Sequence, residues 1–389
     1  MDAATDGFFS KPSLKSLLTH LSVIEDPRDP RRVMYPLREV LLLAVCGTIC
    51  GCDSYDEIAA WGEAHPGFLR RYLPYENGVV GGRWLTIFMN RINPALFQAA
   101  FMAFVRNCWP ERPDLVAIDG KTSRRSHDRA AGLGPLHLVS AFASTAKLVL
   151  ASQAVAEKSC EINVIPELIG KLAEAEGLAG SLVTIDAIGT NPTIAQAILD
   201  AKADYLLAVK DNQQTLAGEI DTFFKHATPA TLDAHADTDK GHGRIETRIA
   251  STATEADWLT GQRRYPGEPR LPGIKTVVRI LTRTELRDRC RTETRTFISS
   301  RILSAREALD AVRAPWAIEN ALHWVLDVTF NEDQSRLRKG HGANNMAILR
   351  HFALNLVRQV KDKRTIKLRR KAAGWNPDIL AAILGASPR

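Results

Sequence analysis

Several features that mark other protein classes are scarce in this chain. Its six cysteines are scattered, none forms a CxxC pair, and no nearby histidine completes a zinc pattern. They favour reduced, mostly buried thiols over a disulfide-stabilised secreted scaffold. The apolar run at residues 40–50 is too short to cross a bilayer. The first residues are polar and acidic, unlike a signal peptide, so we expect a cytoplasmic protein without a membrane segment.

Most of the chain has little excess of positive over negative charge, and one segment has a large excess. The whole chain has 51 Lys and Arg against 44 Asp and Glu, a net charge of only +7. Residues 334–371 alone carry twelve basic residues and one acid, which leaves the rest of the chain slightly acidic. Such a segment indicates a polyanionic partner such as nucleic acid, although a solvated tail on a stable domain would look the same.

The length and the composition predict a soluble protein of more than one domain. The chain has 389 residues, of which 45% are hydrophobic and 24% are charged. Two or three domains are expected at this length. No internal repeat and no low-complexity tract interrupts the sequence, so a solenoid is not indicated.

The spacing of apolar and turn-forming residues divides the chain into regions. Residues 1–110 are predicted to be a helical N-terminal domain. In residues 111–360, short strands alternate with amphipathic helices, which predicts an α/β fold with a mixed sheet and helical crossovers. A β-rich insertion is expected at about 225–300, and residues 361–389 are expected to form a basic, peripheral C-terminal tail.

Three acidic residues stand out as candidate ligands of a metal ion. Asp119 and Asp186 each end a short apolar strand, and neighbouring parallel strands would bring both to one sheet edge. The spacing predicts a helix over residues 304–330, in which Glu319 falls on a stripe that is otherwise apolar except for His323. A buried carboxylate must be paired, protonated or bound to a metal ion. The three acids therefore predict a site for two Mg²⁺ ions, with Mn²⁺ as an alternative.

Each of these acids, taken singly, also has an ordinary structural explanation. Asp119 and the glycine after it are typical of a turn. Asp186 precedes a predicted helix and could be its cap. Glu319 could be a salt-bridged structural acid. Their order along the chain and their setting favour a shared site.

Motifs along nearly the whole chain resemble those of the DDE transposases of bacterial insertion sequences, in the branch that includes the H-repeat-associated proteins. They are residues 117–126 (AIDGKTSRRS), 157–159 (EKS), 183–187 (VTIDA), 205–213 (YLLAVKDNQ), 241–246 (GHGRIE), 316–320 (WAIEN) and 322–328 (LHWVLDV), followed by Glu332, Asp333 and Arg350. The resemblance implies an RNase H-like catalytic domain with a β-rich insertion before the last catalytic helix. Carried over by motif, Asp119, Asp186 and Glu319 are the DDE triad.

The chain departs from the family pattern at three places. Pro315 stands where the family usually has a polar residue, often His. A proline inside a helix would kink it, whereas a proline in the first turn is harmless. We predict that one helix ends near Ala314 and that a new one begins at Pro315. Residues 81–91 lack the family's Ser-His-Asp cluster, and Val312 and Leu326 occupy the Tyr and Lys positions of a wider Tyr-Arg-Glu-Lys spacing.

Basic, amide and aromatic residues near the three acids are candidates for contact with DNA. Two of them, Trp316 and His323, flank Glu319 and are candidates for stacking on a flipped base, although a core Trp is more common. Arg244 shares a strand face with Glu246 and Arg248, which a half-exposed strand would also explain. The remaining candidates lie in predicted turns and loops: Lys121, Arg124, Arg125, Lys210, Asn212, Gln213, Arg336, Arg338 and Lys339.

The resemblance implies a transposase that pairs two element ends, hydrolyses DNA strands there and uses the freed 3′-OH to attack target DNA. Its partners would be double-stranded terminal inverted repeats and target DNA, at the bacterial nucleoid. The helical N-terminal domain would recognise the ends, and two ends imply a homodimer in the DNA complex. One alternative is an RNase H-like nuclease, which would not need an end-recognition domain. Another is a non-catalytic DNA-binding protein derived from a transposase, against which the intact triad argues.

Overall fold

One mixed β-sheet organises the part of the chain that the computed structural model describes, residues 13–128, 132–155, 161–175, 177–210, 213–241, 243–254, 256–260 and 270–386. Its strands are β1 (Leu115–Thr122), β2 (His137–Ala143), β3 (Leu148–Val155), β4 (Leu182–Ile185), β5 (Asp204–Val209), β6 (Asp233–Gly241), β7 (Arg244–Ala253), β8 (Thr276–Glu285) and β9 (Cys290–Ser299). The nine strands lie in the order β3-β2-β1-β4-β5-β9-β8-β7-β6.

The first five strands form the part of the sheet on which the candidate site is built. β1, β2 and β3 form an antiparallel meander, whereas β4 pairs parallel to β1 and β5 parallel to β4. This order and these directions are those of an RNase H-like fold, as predicted. In the parallel pair, Ile118 lies opposite Ile185. The residues that follow them, Asp119 and Asp186, are therefore at the same edge of the sheet.

Helices cover both faces of the sheet and form the N-terminal region. They are α1 (Leu14–Leu21), α2 (Leu37–Ile49), α3 (Tyr55–Ala64), α4 (Pro66–Leu69), α5 (Gly82–Met89), α6 (Pro94–Cys108), α7 (Glu161–Glu174), α8 (Pro192–Asp200), α9 (Gln214–His226), α10 (Asp257–Thr260), α11 (Ala305–Ala311), α12 (Ala314–Ile318), α13 (Trp324–Thr329), α14 (Gly342–Gln359), α15 (Ile366–Trp375) and α16 (Pro377–Ile383). The apolar α2 is deeply buried, as its sequence predicted.

Local capping explains where several of these helices begin. The Ser54 hydroxyl accepts a hydrogen bond from the Glu57 backbone N–H at the start of α3. Ser304 and Glu307 form a complete capping box at the start of α11. Each cap satisfies backbone groups that the first helical turn leaves without an intrahelical partner. Both helix starts were legible in the sequence for this reason.

The predicted β-rich insertion is confirmed as strands, but they extend the central sheet. β9 pairs antiparallel with β5, and β8, β7 and β6 continue outward from it. The sequence did not indicate β6, because it is the edge strand and almost all of it is exposed. An exposed strand needs no alternation of apolar residues, so its polar sequence carries no strand pattern.

The helix expected at residues 304–330 is interrupted. α11 ends at Ala311, and α12 starts a fresh helix with Pro315 in its first turn, as predicted for that proline. A π-helical turn, residues 319–323, then separates α12 from α13. Five residues in a wide turn change which side chains face the core. The single apolar stripe predicted through Trp316 and Glu319 is therefore wrong.

The C-terminal segment is not a peripheral tail. α15 and α16 pack against each other and against α14, and Ala373, Leu380 and Ile383 are buried in the largest hydrophobic core. The same core includes residues of α1, α2, α5, α6 and α14. The N-terminal helices and the C-terminal helices thus share one interior.

Two negative expectations concern cysteines and membrane segments. Cys46 and Cys108 are buried free thiols, and the other described cysteines, three in number, are also unpaired. Cys160 lies outside the described residues. No helix in the described part of the chain is long and apolar enough to span a membrane.

Candidate active site

Three acidic side chains line one cleft at the point where β4 ends and its pairing with β1 stops. β1 itself continues to Thr122, so the prediction that this strand ends at Asp119 is wrong. Asp119 and Asp186 contribute from the two parallel strands, and Glu319 contributes from the π-helical turn after α12, the helix that packs across β1. The cleft has a volume of about 360 Å³ and also includes Trp316 and Asn320 in its wall. The structure thus brings together the three acids that the sequence singled out.

Glu319 is not buried, contrary to the expectation from the apolar stripe. Its side chain is 65% exposed, whereas that of Asp119 is 27% exposed. The interruption at residues 311–314 and the wide turn that follows rotate Glu319 away from the core and toward the cleft. Ligating atoms of Asp119, Glu319 and His323 all lie within 4.8 Å of one another.

The electrostatic environment of Asp119 is unusual for a carboxylate. Burial, together with the negative charges of Glu319 and Asp186, raises its pKa to about 7, against a hydrogen bond from the Gly120 N–H that lowers it. Both effects disfavour the ionised form because the charge is desolvated and lies near like charges. A cation placed among these carboxylates would remove both penalties.

His323 lies beneath the carboxylates and is not available for base stacking, so that prediction is wrong. Its side chain is 6% exposed, and its Nδ1 atom is 3.6 Å from both Asp119 Oδ2 and Glu319 Oε2. Burial lowers the pKa of His323 well below its usual value. The ring is therefore neutral near pH 7 and can hydrogen-bond to the acids or ligate a metal ion.

The donor set fits a hard divalent cation. Carboxylate oxygens are the ligands that Mg²⁺ prefers, and Asp119, Asp186 and Glu319 supply them around a cleft that is open to solvent. The crowding of like charges that raises the pKa of Asp119 is what a bound cation offsets. The residues present would therefore hold such an ion.

Lys121 does not face the cleft, so its predicted contact with DNA is wrong. Its side chain is 10% exposed, and its Nζ lies 2.6 Å from Asp327 and 2.9 Å from Glu332. Arg350 approaches the same Glu332 at 3.4 Å. Asp327, Glu332 and Asp333 thus form a second acidic group. Lys121 and Arg350 neutralise it, because an unpaired buried charge is very costly.

Two basic loops meet beside the site. The Arg338 Nε atom donates a hydrogen bond to the backbone oxygen of Arg125, at 3.1 Å, and joins the loop before α14 to the turn after β1. Arg124 is exposed, and its Nε atom lies 3.4 Å from Asp333. Arg336, Arg338, Lys339, Arg124 and Arg125 are all exposed. These five residues lie on the two joined loops, and we call them the basic rim.

The remaining candidates for DNA contact occupy different positions. Lys210 is exposed at the end of β5, and Asn212 lies outside the described residues. The Gln213 side chain donates to the Thr190 carbonyl oxygen at 3.0 Å, so it braces the loop after Asp186. Arg244 is half-exposed far along the sheet extension and lies 3.3 Å from Glu246. Of this group, Lys210 and Gln213 are the ones beside the site.

Sequence reasoning missed a buried pair behind the site. His137 Nε2 lies 2.6 Å from Glu161 Oε1, and both side chains fill the space where a Cβ of residue 120 would stand, 2.7–2.8 Å away. Residue 120 is a glycine because of this close approach. No pattern marked the pair, because Glu161 reaches it only through the packing of α7 on the sheet. The charge of Glu161 also raises the pKa of Asp119.

The RNase H-like sheet and the acidic cleft define a class of enzymes that act on phosphodiesters with divalent metal ions. Comparison with known protein families agrees with this class and narrows it. The family model described as transposase DDE domain matches residues 110–356, and the model described as DDE_Tnp_1-associated matches residues 18–105. The chain therefore belongs to the DDE transposase family and is a DDE-type transposase, a family that uses divalent metal ions.

Relatives with the same organisation occur in Escherichia coli. The chain is 33% identical over 379 residues to the H repeat-associated putative transposase YhhI of strain K12, covering 96% of this chain and 99% of that protein. It is 35% identical over 393 residues to the putative transposase YncI of strain O157:H7, covering 96% and 95%. These similarities include the N-terminal helices as well as the sheet.

Among solved structures, the chain is similar to a piggyBac transposase in a synaptic complex with hairpin DNA. The sequence identity is 11%, the TM-score is 0.39, and the match covers 97% of this chain and 79% of the other. A score this low supports no conclusion, so the fold assignment depends on the strand order and directions given above.

Proposed function

We propose that this transposase cleaves DNA strands at the two ends of an insertion sequence and joins the freed 3′-OH groups to target DNA. Asp119, Asp186 and Glu319 would hold two Mg²⁺ ions, for which Mn²⁺ can substitute. The observation that supports this proposal is the meeting of three carboxylates, from two parallel strands and one helix, in a single open cleft. Its openness allows a DNA strand to reach all three.

The roles proposed for the chain's own residues follow from how deeply each side chain is buried. When bound, the metal ions activate the attacking oxygen and neutralise charge on the phosphoryl group. Asp119, held by the Gly120 N–H and by the surrounding core, provides a fixed ligand. Glu319 is more exposed and completes the site from the helix. His323, 3.6 Å from both, would keep the two carboxylates at a constant separation.

DNA would reach the cleft along the basic rim. Arg124 and Arg125 follow Asp119 by five and six residues, and Arg338 joins their loop to the loop before α14, which suits a phosphate backbone passing the site. Trp316 is 61% exposed at the mouth of the cleft, where an aromatic face can stack on an unpaired base. Lys210, exposed at the end of β5, and Gln213 would add contacts from the loop after β5.

Two element ends must be held together during joining, which requires two active sites. We therefore propose a homodimer in the DNA complex, with the inverted repeats and the target as its double-stranded DNA partners, at the nucleoid. The helices in residues 18–105 would recognise the ends. These assignments extend the family membership to particular partners.

The test separates catalysis from binding with an isosteric change. Asp119→Asn removes a metal ligand without removing a phosphate contact. We expect it to abolish Mg²⁺-dependent nicking of a plasmid that carries both element ends, while its affinity for an end duplex, measured by fluorescence anisotropy, stays nearly unchanged. Asp310→Asn is the matched control, because Asp310 is an exposed acid on the neighbouring α11. Its nicking rate should equal that of the wild type.

Two outcomes would contradict the proposal. If Asp119→Asn still cleaves near the wild-type rate, Asp119 is not a ligand. If the wild-type protein binds the ends but never nicks them with Mg²⁺ or Mn²⁺, the chain is a non-catalytic DNA-binding descendant of a transposase.

A further inference from the structure

One surface of the N-terminal helices combines unpaired positive charge with an exposed apolar side chain. Arg83, Ile87 and Arg91 follow one another at four-residue intervals on α5 and the turn that ends it. All three are exposed, and Ile87 is 51% exposed. Within the described residues, no carboxylate pairs with either arginine. At 1.5 Å per residue the three side chains span roughly 12 Å, about the width of the DNA major groove.

The packing of α5 fixes which face it presents. Leu85, Phe88 and Met89 are buried on the opposite face. α5 also lies unusually close to α3, because a Cβ on Gly82 would be 2.8 Å from the Cα atom of Asp56. A residue with a side chain could not stand there without moving one of the helices. The exposed face is therefore held rigidly outward.

A second basic segment is attached to the same helix. The Arg28 guanidinium lies over the rings of Trp84 and Phe88 of α5, at 5.4 and 4.5 Å from their centroids. This contact places the chain that follows, with exposed Arg31 and Arg32, alongside α5. Neither guanidinium group has a carboxylate partner among the described residues, although the Arg31 backbone N–H donates to Asp29 Oδ1 at 3.0 Å. Exposed arginines therefore lie both on α5 and on the segment that contacts it.

This surface is continuous with the basic rim of the active site. The backbone N–H of His341 donates to the Asn90 carbonyl oxygen at the end of α5, at 3.1 Å. The same loop carries Arg338, which donates to the Arg125 carbonyl oxygen, six residues after Asp119. A duplex lying on α5 therefore continues onto the rim and toward the cleft.

We propose that α5 is the helix that reads base sequence at the element ends, lying in the major groove with Arg83 and Arg91 donating to guanine edges and Ile87 against a thymine methyl group. This inference depends on the proposed function. The chemistry favours duplex DNA, because bidentate arginines and a central apolar side chain match what the major groove displays. Arg31 and Arg32 would contact the flanking phosphates, which position the helix without reading sequence.

The experiment compares two labelled duplexes of equal length and base composition, one with the terminal inverted repeat and one with its sequence scrambled. We expect the double variant Arg83→Ala/Arg91→Ala to lose about 10- to 100-fold in affinity for the end duplex beyond its loss on the scrambled duplex. The matched control Lys361→Ala/Lys363→Ala removes the same charge from exposed positions elsewhere. It should lower both affinities equally.

A second measurement uses a change in the DNA, so the wild-type protein serves as its own folding control. End duplexes with single thymines replaced by uracil lose only a methyl group. Replacement of the thymine that contacts Ile87 should weaken wild-type binding several-fold. The same replacement should leave the binding of the Ile87→Ala variant unchanged.

The outcomes distinguish the two proposals. If wild-type protein prefers the end duplex and the double variant keeps that preference, α5 does not read the ends, and the active-site proposal is unaffected. A wild-type protein with no preference between the duplexes, tested with and without Mg²⁺, would contradict the proposed function itself.

Discussion

At the residue scale, environment decided what each charged side chain does. Lys121 and Glu319 were both placed near the site by motif, yet Lys121 is buried against Asp327 and Glu332, and Glu319 is exposed. The sequence gives the charge of a residue but not the depth at which the fold places it. Depth governs function because a desolvated charge must be neutralised, whereas an exposed one is free to bind.

A fully buried histidine makes stability depend on pH. His351 on α14 lies 3.4 Å from the Ser152 hydroxyl, and burial lowers its pKa to about 4. The unfolded chain binds this proton near pH 6.5 and the folded chain does not, so the contribution to stability is lost as pH falls from about 6.5 toward 4. Between pH 7 and pH 5, His351 should account for about 2 kcal/mol of lost unfolding free energy.

Urea unfolding at pH 7 and pH 5 tests this value. The decrease in unfolding free energy should be smaller in His351→Gln than in the wild type by that amount. His226→Gln, a change at an exposed position, should leave the decrease as it is. A His351→Gln variant with the full wild-type decrease would show that the buried ring does not carry the effect.

At the element scale, the interrupted helical segment at residues 305–329 is the feature that positions Glu319 in the cleft. Pro315 occupies the first turn of α12, where its missing N–H has no intrahelical acceptor to lose. The π-helical turn that starts at Glu319 then directs this side chain toward the cleft. Pro315 predicted the interruption between α11 and α12, because a proline is poorly tolerated inside a helix. The π-helical turn was not predicted, since it depends on how α12 and α13 pack on the sheet.

We expect Pro315→His to change the rate of Mg²⁺-dependent nicking by no more than roughly threefold, because the first turn tolerates either residue. Ala317→Pro is the informative contrast. The Ala317 N–H donates to the Arg313 carbonyl oxygen, and a proline there removes that bond two residues before Glu319. It should abolish nicking. A gain of several orders of magnitude in Pro315→His would instead mean that Pro315 cripples this enzyme.

At the scale of the whole molecule, the N-terminal and C-terminal helices are parts of one interior. Arg370 on α15 is 3% exposed and donates to the carbonyl oxygens of Thr48 and Thr329. Its guanidinium also lies 3.8 Å from the centroid of the Phe330 ring and 3.3 Å from Asp53. One side chain thus joins α15 to α2 and to the end of α13.

Breaking this junction should destabilise the whole protein. Arg370→Met keeps much of the side-chain volume but leaves Asp53 and two carbonyl groups without their donor, so we expect a loss of about 3 kcal/mol in unfolding free energy. Lys371→Met, at the exposed neighbouring position, should change it by less than about 0.5 kcal/mol. Chemical denaturation measures both. Equal losses in the two variants would contradict a role for Arg370 as a junction.

The sequence by itself determined the elements whose signals are local. The apolar strand residues before Asp119 and Asp186, the capping box at Ser304 and the proline in the first turn of α12 all depend on neighbouring residues. The motifs also predicted the family, which the comparisons confirm. These features were legible because their physical causes act within a few residues along the chain.

Only the tertiary structure decided the features that join distant segments. The burial of Lys121 needs acids about 200 residues later in the chain, and the pair behind Gly120 needs α7 to dock on the sheet. The incorporation of α15 and α16 into the core likewise depends on surfaces from both ends of the chain. Composition made that segment look like a solvated tail, because its charges mask the few apolar residues that bury it. Desolvation and packing energies belong to the assembled contacts, so no local pattern in the sequence records them.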